Sequence, residues 1–365
     1  MASFQKRGNT WQYTISHKPK PIRKSGFRTK KEAQLAAAEV ETALKKGAYV
    51  QLREVLFVDY FKDWVEAYKT DITRNTLSRY HHTAKTLEEY FHNTKIQAIT
   101  KRTYQAFLNE YAQTHSKATV SKLNTHVRAC VRDAIEEGII SVDVTRNAKV
   151  TGNVPAKKPS EKHLSYFESK RLMNALYGSL DNGLSYYLLL LGLTSGMRFA
   201  EMVGLTRRDF DFAAGTISID KEWGYTKRMS TGFMPTKNEP SVRVIKMDKR
   251  TMDAFEELFG STPPNIHGLV FFSPGSKYQV ISNTAANNVL RRLLTKLNIT
   301  PITVHGLRHT HASILLYKKV SIYYVSERLG HSDIQTTLST YSHVIKELRT
   351  EDEKSSIDVF EKMLV

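Results

Sequence analysis

Thr303-Val304-His305-Gly306-Leu307-Arg308-His309-Thr310-His311-Ala312-Ser313 decides how this chain is read. His305 and Arg308 stand three apart, so a helical turn projects both to one side. The three histidines invite a metal. No HExxH pattern or neighbouring carboxylate ligand accompanies them, and Cys130, the only cysteine, cannot build a thiolate site, so none is expected. Downstream, a helix carrying Ile322, Val325 and Leu329 stops at Gly330, a C-cap that leaves His331 at the rim. Ten residues further stands Tyr341. Upstream, Leu193 to Glu201 reads as a glycine turn entering a helix, with Arg198 and Glu201 sharing a face at i, i+3. Strands are expected at Thr216 to Ile219 and Ser241 to Lys246, with Lys237 on a turn between them.

Each of these residues has an ordinary explanation when taken alone: an exposed ion pair, a solvated lysine, a structural tyrosine. Together, two arginines, a lysine, two histidines and a tyrosine are the groups that phosphoryl transfer needs without a metal. Arg198 and Arg308 can donate paired hydrogen bonds to the nonbridging oxygens and stabilise a pentacoordinate transition state. Lys237 suits protonation of a leaving 5′-oxygen, and a histidine can accept or return the tyrosine proton. Tyr341 then supplies a covalent intermediate that splits one difficult exchange into two easier steps.

The rest of the chain is consistent with a nucleic-acid partner. Net charge is +18 over 365 residues, and residues 1–50 hold eleven Lys and Arg against three Glu. Two short strands, Ser3 to Lys6 and Thr10 to Ser16, flank an Arg7-Gly8-Asn9 turn. A third is expected near Pro21 to Phe27, followed by a helix capped by Thr29 and ended by Gly47. Strand alternation is expected to expose a DNA-reading face of Lys6, Arg7, Trp11, Tyr13, Lys18 and Lys20. Residues 53–150 read as four helices with aromatic stripes at core spacing, among them Phe57, Tyr60, Phe61, Trp64 and Tyr68, and Thr100 and Ser116 are read as caps. Cys130 falls on an apolar stripe and reads as core. Residues 151–162 read as a basic linker carrying Lys157 and Lys158, and residues 163–365 as the catalytic part. Tyr186 to Leu193 is too short to span a bilayer, no signal peptide is read at the start, and a bacterial cytoplasmic location is expected.

The ordered set Gly196-x-Arg198-x-x-Glu201, Thr236-Lys237 before a strand with Arg243, His305-x-Leu307-Arg308-His309-Thr310-His311-Ala312, Leu329-Gly330-His331 and Tyr341 resembles the tyrosine recombinases. The resemblance is to the three-domain integrases of temperate phages and conjugative transposons. It implies a multidomain α+β chain: an arm-site-binding sheet and helix at 1–50, a four-helix SAM-like core-site-binding domain at 53–150, and a mostly helical catalytic domain with a small β-sheet. It also implies Tyr341 as nucleophile, Arg198 and Arg308 as phosphate clamp, Lys237 as general acid, His305 and His331 as proton-transfer and phosphate-binding groups, and Glu201 as their orienter. A 3′-phosphotyrosyl bond conserves the energy of the broken phosphodiester, so no ATP and no metal cofactor are implied. The implied partners are duplex attachment sites (core and arm), a homotetramer working through a four-way junction to integrate and excise a mobile element, an excisionase and a DNA-bending host factor. Arg207 departs from the tryptophan that many relatives carry there. Beyond Tyr341, the residues Ile357, Phe360, Met363 and Leu364 outline an amphipathic tail helix, expected to pack on a neighbouring protomer. Three other readings compete: a type IB topoisomerase, a noncatalytic DNA-binding regulator and a metal-dependent nuclease.

Overall fold

A computed structural model describes residues 2–16, 21–45, 54–156, 161–230, 232–236 and 238–347 and, in the tail, 353, 357–359 and 361–362. Lys18, Lys20, Gly47, Lys157, Lys158, Lys237, Phe360, Met363 and Leu364 lie outside the described residues. The chain divides into two units, 1–156 and 157–365.

In the first unit, β1 (Ala2–Arg7), β2 (Thr10–Ile15) and β3 (Ile22–Phe27) form an antiparallel sheet in that order. Helix α1 (Lys30–Lys45) packs across it, and the Thr29 hydroxyl accepts from the Glu32 N–H as the expected cap. The pairing Phe4 to Tyr13 and Lys6 to Trp11 puts Phe4, Lys6, Trp11, Tyr13 and Ile15 on one face. That face is the helix side. Tyr13 is 1% exposed and stacks on Phe27, so the expectation that it reads DNA is corrected: it is core. Lys6 stays exposed at the rim and Trp11 lies half-buried beneath Lys30. The open face instead carries Gln5, Arg7, Gln12, Thr14, Arg23 and Ser25.

Four helices follow: α2 (Phe57–Tyr68), α3 (Arg74–Phe91), α4 (Lys101–Thr114) and α5 (Lys117–Glu136). Thr73, Thr100 and Ser116 cap the last three through their hydroxyls. The predicted stripes meet in one core where Phe107 contacts Tyr90, Phe91, Tyr104 and Tyr111, and Cys130 is fully buried. Tyr68 alone of its stripe is exposed, with its hydroxyl on Glu137. Just ahead of the expected linker Gln105 exchanges two hydrogen bonds with the Lys149 backbone, and within it the Asn153 N–H donates to Ala112 C=O.

The second unit is built around α7 (Leu184–Ser195), whose Leu188 to Leu191 are completely buried. An all-round apolar helix this short is the central post of a globular core, not a membrane span. Packed on it are α6 (Tyr166–Tyr177), α9 (Lys249–Ser261), α10 (Asn283–Lys296) and α11 (Val304–Tyr317). Short α8 (Phe199–Gly204) continues from α7. Strands β4 (Phe210–Asp211), β5 (Thr216–Ile219) and β8 (Arg243–Lys246) form one small sheet, and β6 (Lys221–Trp223) pairs β7 (Phe233–Pro235) in a hairpin. Helices α12 (Ile322–Leu329) and α13 (Ile334–Glu347) close the unit against α11. Arg207 takes up its local packing by lying on the Phe259 ring and donating to the Phe259 and Thr262 carbonyls at the end of α9.

Phe107→Ala removes the ring on which four aromatic neighbours converge. The variant is expected to lose about 3–5 kcal/mol, read as a lowered urea midpoint for the full chain.

Candidate active site

The site is assembled where α7 ends. Gly196 caps that helix with φ +69°, and a Cβ there would meet the His311 ring at 2.7 Å and Leu329 at 2.9 Å, so both conformation and space require glycine. The turn delivers Arg198, whose Nη1 donates to Glu201 Oε1 at 2.7 Å and Ser241 Oγ at 3.0 Å, while Nη2 donates to Gly330 C=O at 2.9 Å. Its backbone N–H also reaches Glu201, at 2.9 Å. The pair read at i, i+3 is therefore not a surface bridge: Glu201 is 1% exposed.

Glu201 carries a second arginine. Arg243, on β8, donates to both its oxygens, at 3.0 and 3.3 Å, and its Nε donates to Arg328 C=O. Burial alone raises the Glu201 pKa, but Arg243 and then Arg198 outweigh it, and the carboxyl is held below its ordinary value. Arg328 braces the same region from α12, donating from Nε to His311 Nε2 at 3.0 Å and from Nη1 to Lys246 C=O at 2.7 Å. His311 Nδ1 donates to Leu193 C=O at 2.9 Å, which fixes a neutral tautomer; burial pushes its pKa down to about 3, helped by Arg328. His311 is thus a strut between α7, α11 and α12.

On α11, capped by Thr303, Arg308 is 3% exposed and donates from Nη1 to Gly196 C=O at 2.9 Å. Among the described residues that is its hydrogen bond, and the other N–H donors of a five-donor group have no protein partner. Burial, with Arg198 adding to it, pushes its pKa down to about 9; it stays cationic at neutral pH. Among the described residues Arg198, Arg243 and Arg308 share the one carboxylate of Glu201, so positive charge is in excess there.

His305 keeps an exposed edge, and the protein packed round the rest of its ring, together with Arg308 and Arg198, lowers its pKa. His331 follows Gly330, a left-handed C-cap at φ +66°, and shares a 2.7 Å hydrogen bond from Nδ1 with Thr337; burial and then Arg308 push its pKa down to about 4. Tyr341, on α13, is 2% exposed within the cluster of Ala312, Leu316, Val325 and Leu329. Burial pushes its phenol up to about 12 against the pull of Arg308. Its hydroxyl meets His309 Nδ1 at 3.0 Å.

Of the six predicted reactive residues, five gather here, and Lys237 lies outside the described residues, between β7 and β8. Three partners were not singled out as site residues: Arg243, Arg328 and His309. For His309 a signal existed, since it follows His305 by one helical turn and so shares its face.

Arginines clustered beside a buried tyrosine on a mixed α/β unit define a protein built to act on a phosphate group, and likeness to known proteins narrows the class. Residues 162–347 match the phage integrase family, residues 56–112 the phage integrase N-terminal SAM-like domain, and residues 3–44 an Arm DNA-binding domain. The chain belongs to the phage integrase family, and is a tyrosine recombinase of the phage and transposon integrase type. It is 24% identical over 93% of its length to a tyrosine recombinase XerC-like protein of Caldanaerobacter subterraneus subsp. tengcongensis, covering 93% of that protein. It is 23% identical over 87% of its length to the integrase of Staphylococcus phage L54a, covering 96% of it. Among solved structures, a Tn1549 transposon integrase in complex with a circular intermediate DNA shares the fold, with a TM-score of 0.68 at 18% identity over 82% of this chain and 100% of that one. A lambda integrase dimer bound to a COC′ core site gives a TM-score of 0.57 at 16% identity, over 92% and 93%.

Because the folded carboxyl of Glu201 has a depressed pKa, its ion pairs contribute fully above the unfolded value of about 4.3 and are lost as pH falls through the folded value. Glu201→Gln should therefore cost about 3–5 kcal/mol at neutral pH and should flatten the loss of stability on acidification, as read by urea unfolding across a pH series.

Proposed function

We propose that this integrase cleaves duplex attachment-site DNA with Tyr341 as nucleophile, forming a 3′-phosphotyrosyl bond and a free 5′-hydroxyl. Arg198 and Arg308 clamp the scissile phosphate. The observation that carries this reading is the charge: Arg308, 3% exposed and with one protein hydrogen bond among the described residues, lies beside Arg198 and gains most from an anion in the position of a phosphodiester. His305 and His331, on the same side, hold the nonbridging oxygens, and Lys237 protonates the leaving oxygen. Guanidinium groups fill the electrostatic role that a metal plays elsewhere, and the phosphotyrosyl bond stores the energy for rejoining, so the reaction needs neither metal nor ATP.

Exchange between two duplexes through a four-way junction requires four active sites, and a homotetramer on core sites supplies them, with an excisionase and a DNA-bending factor as helpers and the bacterial cytoplasm as the setting. The tail from Ile357, exposed together with Val359, is the segment suited to joining neighbouring protomers. Arm-site reading falls to the open sheet face of Gln5, Arg7, Gln12, Thr14, Arg23 and Ser25, a surface wide enough for a major groove.

On nicked attachment-site DNA, the native protein should give a detergent-resistant complex that Tyr341→Phe does not form. Arg308→Ala should retain DNA yet cleave about 10²–10³-fold more slowly. If no covalent adduct forms while DNA binding persists, the chain is a noncatalytic binder. Replacing Arg7 and Arg23 by Ala should weaken arm-site binding and lower the log–log salt slope by about one for each phosphate no longer neutralised, measured by titration at several salt concentrations.

A further inference from the structure

Resting on the phosphotyrosyl reading above, we propose that His309, rather than His305, takes the proton from Tyr341 as its oxygen attacks phosphorus. The position of the phenol is the first argument. Its hydroxyl is on His309 Nδ1 at 3.0 Å, with the rings 5.8 Å apart, and among the described residues no hydrogen bond joins it to His305. His305 lies one helical turn nearer the start of α11, edge-on to His309 with ring centroids 4.9 Å apart, and is the more exposed of the two. The two histidines therefore divide the work by depth. His305 is placed to donate to a phosphate oxygen, and His309 to serve the nucleophile beneath it.

The charges around His309 add a second argument. Burial pushes its pKa down to about 4, and His305 and Arg308 on its own helix, with Lys162 and His163 ahead of α6, push the same way. The ring is neutral at physiological pH, so Nδ1 can accept when Nε2 carries the hydrogen. It is also a weak base before substrate arrives, facing a phenol whose own pKa is raised, so the nucleophile stays protonated. A phosphodiester seated on Arg308 and Arg198 brings a negative charge that offsets those cations and raises the proton affinity of His309. Proton removal is thereby tied to the presence of DNA.

The step balances. The Tyr341 O–H bond breaks and its proton forms an N–H bond on His309, while the oxygen pair forms the O–P bond. The bond from phosphorus to the 5′-oxygen breaks with its electron pair on that oxygen, which takes a proton from the general acid. In rejoining, a 5′-hydroxyl gives its proton back to the general acid as its oxygen attacks phosphorus, and the displaced phenolate takes the proton held on His309.

The test is single-turnover cleavage of nicked attachment-site DNA by the full chain. His309→Ala should slow adduct formation by about a hundredfold or more, with DNA retention and melting temperature held as folding controls. His309→Asn, which keeps a hydrogen-bonding group near the phenol but is not basic, should be equally slow. Incorporating a difluorotyrosine at position 341, whose phenol ionises without help, should restore most of the rate in both variants. It should not restore His305→Ala, which removes a group that holds the phosphate. A native rate in either His309 variant, or restoration confined to His305→Ala, overturns the proposal while leaving Tyr341 as nucleophile. Failure of the native protein to form any adduct removes the reading on which it rests.

Discussion

A single carboxylate, buried to 1% exposure, holds two arginines that arrive from different parts of the chain. Glu201 takes Arg198 from the turn after α7 and Arg243 from β8, and both oxygens are used. A charge so far from water persists only if it is paired and fully hydrogen-bonded. Here that requirement fixes where a helix, a turn and a sheet edge must lie. Arg243 then reaches Arg328 C=O and Ser241 C=O, and Arg198 reaches Gly330 C=O, so the strand and the end of α12 are tied to the same point. His331 and α13 follow directly from that end, so the tyrosine inherits its position from the carboxylate through two short steps along the chain.

Gly196 and Gly330 are the hinges of this arrangement, each for a spatial reason. At Gly196 the left-handed turn lets the backbone sit against His311, and the carbonyl it turns outward receives Arg308. At Gly330 a Cβ would lie 2.9 Å from Arg243 Nη1. Arg198 and Arg308 are thus positioned by the backbone carbonyls of two glycine turns, and His311 and Arg328 brace the turns from behind. Aromatic and aliphatic packing around α7 supplies the buried area, while the polar network sets the angles.

Much of this was legible in the sequence because it is local. Caps at Thr29, Thr100 and Ser116 act within four residues, and the stripes of α2 to α5 repeat at the helical period, so both survive without tertiary information. The Arg198–Glu201 pair was legible for the same reason, although its burial was not. What stayed hidden depends on elements brought together across the chain: Arg243 on Glu201 spans 42 residues, and Arg328 on His311 joins two helices. Tyr13 shows the opposite error. Its alternation with Ile15 was available, but an aromatic in a basic sheet suggested a binding face, and the register with Phe4 places it against α1. Arg207 shows how a departure from the family pattern is absorbed, since a guanidinium can both stack on Phe259 and cap the carbonyls of α9, whereas tryptophan would offer one N–H.

The electrostatic state of the site follows from these same constraints. Among the described residues one carboxylate answers three guanidinium groups, and it is already committed to Arg198 and Arg243. Among the described residues Arg308 has one hydrogen bond, to a backbone carbonyl, and burial depresses its pKa; the histidines around it are held neutral first by burial and then by the same excess of positive charge. Such a site is costly to keep charged without a ligand, and the penalty is relieved by an anion that enters between Arg198 and Arg308. Raising the proton affinity of the histidines is a necessary consequence of that entry, because the charge that stabilises Arg308 acts on His305, His309 and His331 in the same direction. On the proposed chemistry, phosphate binding and activation of Tyr341 are therefore one electrostatic event, set by the single carboxylate that pairs with these arginines among the described residues.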